Sequence, residues 1–123
     1  MRREVRVTVA GLELKAQLNE TDTATKVLEI LPITSQVNVW GEEIYFPIPV
    51  DTGLEEAKEV VDLGDIAYWP DGKAMCIFFG KTPVSKGDEI RPISPVNVIG
   101  RIEGEPKVLR QVKQGDKITI ERS

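Results

Sequence analysis

The sequence predicts a mainly β fold: a small barrel of about seven or eight short strands, with two short helices at its ends. Three observations carry this. Apolar residues recur with a period of two in stretch after stretch, as in EVRVTV and LELKAQL. Turn signals separate those stretches, among them the Gly-Asp pairs at Gly64, Gly87 and Gly115. A helical period occurs in only two short segments.

Taken in order, Glu4–Val9 and Leu12–Leu18 alternate on either side of Ala10-Gly11 and read as an opening hairpin. Ala24, Val27, Leu28 and Leu31 then fall at i, i+3, i+4 and i+7, one face of a helix. Thr21, Asp22 or Thr23 supplies its cap, and Pro32 stops it by excluding the α region for the residue before it. Ser35–Phe46 is extended with a break at Gly41. PIPVDTG is no central strand, because prolines cannot donate to a ladder. LEEAKEVVDLG reads as a short helical turn followed by extended chain. Val96–Ile102 is a strand, Glu105–Val112 a short helix with the stripe Val108, Leu109, Val112, and Asp116–Arg122 a closing strand.

At 123 residues the chain is read as one domain, residues 1–123, long enough to hold a core without metal or disulfide. It has no apolar run of membrane-spanning length, and MRREVRVTV lacks the apolar segment of a signal peptide. The lone Cys76 cannot form an internal disulfide, and a cytoplasmic location is the simplest expectation. Net charge is −4, and between Glu42 and Asp65 lie eight acidic residues against one base, Lys58. Such a chain lacks the basic stripe that offsets phosphates, so neither nucleic acid nor membrane is an expected partner.

Hydrolytic chemistry built on histidine is excluded, because the chain contains none. Zinc's usual ligands are missing, the carboxylates show no calcium-loop spacing, and DGKA at Asp71 is too incomplete for a phosphate loop. No cofactor or metal is expected. Glu42 and Glu43 point to opposite faces of a strand, so they cannot act on one substrate. Glu43 is either a groove residue or a solvated edge charge.

All seven aromatics lie between Trp40 and Phe79. WPDGK suggests a three-residue loop with Gly72 in the left-handed position, which pairs Trp69 with Lys73 and Ala67 with Met75. One hairpin face then carries Ala67, Trp69, Lys73, Met75, Ile77 and Phe79, the other Ile66, Tyr68, Ala74, Cys76 and Phe78. Both faces are apolar, so both are covered or one is open to a ligand.

VNVWGEEIYF, GDIAYWPDGKAMCIFFGKTP and SPVNVIGRIEG, together about a third of the chain, resemble the small prokaryotic cyclophilin-like proteins. More distantly, the Phe-Phe strand followed by a Val-rich strand and a helix is similar to the second half of the peptidyl-prolyl isomerases. The resemblance implies a closed cyclophilin-like barrel of about eight strands capped by two helices, with a ligand groove outside the barrel beside the Phe-Phe strand. It implies Phe79 in that groove and Phe78 inside the barrel. With the hairpin alternation, the candidate ligand-binding residues are Glu43, Tyr45, Trp69, Met75, Ile77 and Phe79. The sequence departs from active isomerases in having no arginine around Val37–Val39 and no groove histidine near Val96.

Three functions follow. The first is a binding domain that holds a peptide or small apolar ligand, with Glu43 favouring cationic or hydrogen-bond-donating ones. The second is an atypical prolyl isomerase using Tyr45 or Lys73 in place of arginine. The third is an interaction module, such as a homo-oligomer built on the aromatic face.

Overall fold

The alternation of the first residues builds the hairpin it predicts. In the computed structural model, which describes residues 3–123, β1 (Glu4–Val9) and β2 (Leu12–Leu18) pair antiparallel with Val9 opposite Leu12. Ala10 and Gly11 turn the chain at φ of 51° and 76°. This two-residue turn has the twist that a strand pair demands. Val5, Val7 and Val9 point inward and are buried, while the charged residues between them face out.

Helix α1 (Asp22–Ile30) starts where its cap predicts: Thr21 Oγ1 accepts from the Ala24 amide at 3.2 Å. Its buried face is Thr23, Ala24, Val27 and Leu28, and Leu31 leaves the helix in an extended conformation ahead of Pro32. The helix has a second cap from far along the chain. Glu55 takes the Asp22 and Thr23 amides at 3.1 and 2.9 Å, and the Thr23 hydroxyl at 2.7 Å. This corrects the expected helical turn in LEEAKEVVDLG. No helix forms there, because Glu55 is drawn to the exposed amides of α1. The extended second half holds, with Lys58 bridging to Val96 and Val61 to Ile90.

The remaining strands are β3 (Ile33–Gln36), β4 (Asn38–Trp40), β5 (Glu43–Pro47), β6 (Asp65–Trp69), β7 (Ala74–Phe78), β8 (Asn97–Ile102) and β9 (Lys117–Arg122). Among the described residues nine strands form one antiparallel sheet in the order β3-β9-β1-β2-β8-β6-β7-β5-β4. The count exceeds the expected eight because the run from Ile33 to Trp40 breaks at Val37. Its first half pairs with β9 and its second with β5. That shared segment joins the two ends of the sheet, and Ser35 Oγ donates to the Pro47 carbonyl at 2.9 Å across the seam. The barrel is thus nearly closed, which leaves few unpaired edges. The second helical element is a 3₁₀ helix, Pro106–Gln111, capped by Glu105 and anchored by buried Leu109.

The Gly-Asp turns form as the sequence implies. Gly64, Gly87 and Gly115 all have positive φ, and Asp65 and Asp116 accept from the amides of Asp62 and Lys113, each at 2.8 Å. Inside the barrel, Ile44, Phe46, Ile66, Tyr68, Ile99 and Ile120 are fully buried. Each such side chain contributes roughly 1.5–3 kcal/mol.

The aromatic hairpin is where register departs from expectation. Trp69 faces Ala74 rather than Lys73, and Ala67 faces Cys76 rather than Met75. Pro70–Gly72 forms a 3₁₀ turn, and Lys73, not Gly72, takes the left-handed conformation at φ 49°. The loop is one residue longer than predicted, so every side chain of β7 changes face.

Candidate functional site

The outer face of the sheet around β6 and β7 is covered by Ile90 and Val96 of the connection that follows Phe79 and by Val61 of the connection before β6. Strand alternation puts Ala67 of β6 and Cys76 and Phe78 of β7 on this face, where they pack with Val61, Ile90 and Val96 into a second apolar cluster outside the barrel. Tyr45 and Trp69 pack against its edge. The cover is incomplete. A cavity of about 170 Å³ remains, with Trp40, Glu43, Tyr45, Trp69 and Cys76 as its strand wall. Pro92, Ile93 and Val96 form the rim from the connection.

Each strand residue reaches the cavity through pairing. Trp40 stands opposite Glu43 across a tight turn at Gly41-Glu42, and Tyr45 stands opposite Cys76. The Tyr45 and Trp69 rings meet edge to face, centroids 6.0 Å apart and planes at 83°. Trp69 Nε1 donates to Ser94 Oγ at 2.6 Å, and Ser94 donates to Asp71 at 3.0 Å. The indole is therefore fixed and its N–H is engaged, while its ring remains half-buried at the cavity.

The expected site residues divide. Glu43, Tyr45 and Trp69 come together at the cavity. Met75, Ile77 and Phe79 do not: they lie in the barrel core at 0%, 0% and 3% exposure. The extra residue in the hairpin loop is the cause, since it turns Met75 and Ile77 inward and Cys76 and Phe78 outward. Phe78 and Phe79 thus exchange the places the resemblance implied. Cys76 likewise lies on the outer face rather than in the barrel. It is still buried, and burial together with the neighbouring Glu43 pushes its thiol well above the ordinary value, so it is inert as a nucleophile. Lys73 pairs with Asp51 at 3.3 Å and does not line the cavity.

Trp40, Pro92, Ile93 and Val96 were missed as site residues. Trp40 was legible, because a two-residue Gly-Glu turn places it beside Glu43. Val96 opens a segment read as a strand and lies where the resemblance puts a groove residue, whereas Pro92 and Ile93 carried no periodic signal.

Glu43 is the unusual group here. It is 5% exposed, and its Oε1 has no hydrogen-bond partner among the described residues. It is not the solvated edge charge that was the alternative. Burial raises its pKa from the ordinary carboxylate range to about 7, against an opposing effect of the Cys76 thiol. Glu42, one residue earlier, points the other way and pairs with Arg110, which holds its carboxyl low. Among the described residues no lysine or arginine lines the cavity, and no cluster of three or more His, Cys, Asp or Glu is placed to hold a metal ion. No described helix is long and apolar enough to cross a membrane.

The barrel and its outer hollow can be set beside known proteins. The profile of the cyclophilin-like family matches residues 3–121. The chain belongs to the cyclophilin-like family. Its fold is similar to the solution structure of a hypothetical protein from Archaeoglobus fulgidus, with a TM-score of 0.82 and 42% sequence identity. That match covers 99% of this chain and 95% of the other. No curated protein sequence matches the chain. In this cyclophilin-like barrel the hollow lies outside β5, β7 and β6, beside the Phe-Phe strand, with Phe78 beneath its cover.

Proposed function

We propose that this cyclophilin-like domain is a binding module that holds a small molecule or a peptide side chain in the cavity between Trp40, Tyr45 and Trp69. The observation that carries this reading is the state of the two indoles. Both are half-buried, and both line one apolar hollow rather than being sealed in a core. Large aromatic surface left partly wet in a concave site is characteristic of ligand pockets. Among the described residues the cavity wall has no lysine or arginine to polarise a prolyl carbonyl, which favours holding over isomerisation.

Titration with short proline-containing peptides and small apolar molecules, followed at the indole NMR resonances of Trp40 and Trp69, tests the reading. A true ligand shifts both resonances saturably, and Tyr45→Ala weakens it. A panel that moves neither resonance sinks the proposal.

A further inference from the structure

The cavity wall combines three aromatic rings with one buried carboxyl group, and that combination selects a ligand class. We infer that the pocket recognises a protonated amine, its N–H bonded to Glu43 and its first carbons held against Trp40, Tyr45 and Trp69. This rests on the pocket-binding reading above and narrows it.

The argument starts from the orphaned oxygen. A buried acceptor without a partner is rare in folded proteins and costly to maintain. Among the described residues none of the chain's own cations lines the cavity, and several on the framing elements are committed elsewhere. Arg91, in the covering connection, is held by Glu89 through contacts of 2.6 and 3.3 Å. Lys73 is at Asp51, and Lys81 lies 3.9 Å from Asp88. The indole N–H of Trp69 is spent on Ser94, and that of Trp40, whose residue stands opposite Glu43, makes no hydrogen bond to Oε1. Among the described residues nothing donates to Glu43 Oε1, and because that oxygen is sealed from solvent, a ligand in the cavity meets this carboxyl through its other oxygen or after rotation about the Cγ–Cδ bond.

The walls decide what kind of donor it is. Aromatic faces carry negative potential and attract a cation, most strongly where water is excluded. A carboxylate next to them adds a charge-assisted hydrogen bond. A divalent metal would need several oxygen ligands, and the wall offers one carboxylate. A guanidinium would bring five donors to that single acceptor. An ammonium group on a short alkyl chain matches both the one acceptor and the apolar surround, and about 170 Å³ suits a head of a few non-hydrogen atoms.

The same head group occurs on free amines and on lysine side chains, so the test uses both. The Trp40 and Trp69 resonances are followed at pH 8 during titration with butylammonium, with 1-butanol as its neutral match, and with N-acetyl-lysine methylamide. Butylammonium is expected to bind about tenfold or more tighter than 1-butanol. Glu43→Gln, which keeps the shape of the side chain, is expected to abolish that preference. Tighter binding of the lysine derivative than of butylammonium supports a polypeptide source, and weaker binding supports a free amine. If 1-butanol binds as well as butylammonium, or if the preference survives Glu43→Gln, the amine inference is overturned while the pocket reading stands. If none of the three compounds binds, this inference is overturned, and the wider panel then decides the pocket reading separately.

Discussion

Trp69 lies flat against Gly72: a Cβ on Gly72 would stand 2.3 Å from Cζ3 of the indole. No side chain beyond hydrogen fits at that distance. The contact therefore accounts for the glycine by space, while Lys73 supplies the left-handed residue of the turn. It also connects hairpin geometry to the cavity, because the same indole forms part of the wall.

Gly72→Ala is accordingly expected to expel the indole from its seat or strain the turn, destabilising the fold by about 1–3 kcal/mol. Tryptophan emission should shift to the red as Trp69 becomes more exposed. Chemical denaturation with fluorescence detection measures both. Unchanged stability and emission would show that the ring does not rest on Gly72.

Glu43 makes stability depend on pH in an identifiable window. Its folded pKa of about 7 lies above its ordinary value of 4.5. An acid raised in this way favours the folded state fully below 4.5. Its contribution falls as pH rises through the window and levels off above 7. The loss amounts to about 3 kcal/mol at most. Glu43→Gln should be little different from wild type near pH 4.5 and more stable by up to that amount at pH 8.5. The readout is the difference between the two proteins across pH. Asp65 is also raised by burial, and Glu42, Glu55 and Glu89 are held low, so the wild-type curve alone mixes several groups.

The same protonation governs the proposed amine site. Below pH 7 Glu43 holds a proton, and affinity for butylammonium should fall about tenfold for each further pH unit. Tyr45 and Cys76 are the other titratable side chains of the wall, and burial keeps the Cys76 thiol protonated throughout this range. Titrations at pH 5, 6 and 8 check the slope. An affinity independent of pH would remove Glu43 from recognition.

Cys76 is 1% exposed and its thiol is raised well above the ordinary value, so a water-soluble disulfide reagent at pH 8 should label it only on unfolding. Labelling rates with and without urea test this. Rapid reaction of the native protein would mean that the cavity opens far enough to admit the reagent.

Asn97 ties three segments together. Its side chain accepts from the Glu55 amide at 2.8 Å and donates to the Gly53 carbonyl at 2.9 Å and to Thr23 Oγ1 at 3.2 Å. Asn97→Ala leaves the Glu55 amide and the Gly53 carbonyl without that partner at a site that is 1% exposed, while Thr23 Oγ1 keeps its bond to Glu55, and should cost about 2–4 kcal/mol of stability. Thermal unfolding measures it, and a loss below about 1 kcal/mol would mean that the network is not coupled.

Residues near one another in sequence settled much of this fold without help from the rest. The alternation of Glu4–Val9 and Leu12–Leu18, a helix cap within Thr21–Thr23, the stop at Pro32 and the Gly-Asp turns are matters of backbone sterics and local hydrogen bonds, and all appear, with Thr21 as the cap of the three candidates. Strand periodicity and turn signals suggested a small barrel, and motif resemblance supplied its closure and its family. Three of the six expected site residues reached the cavity because the parity of β5 and of Trp69 was correct. Tertiary structure alone decided the rest. Strand alternation gives two faces without saying which is inner, and a loop one residue longer than expected exchanged them for Met75, Ile77 and Phe79. The cover over Glu43 comes from a connection without periodicity, so the burial that raises its carboxyl is a property of packing between distant segments.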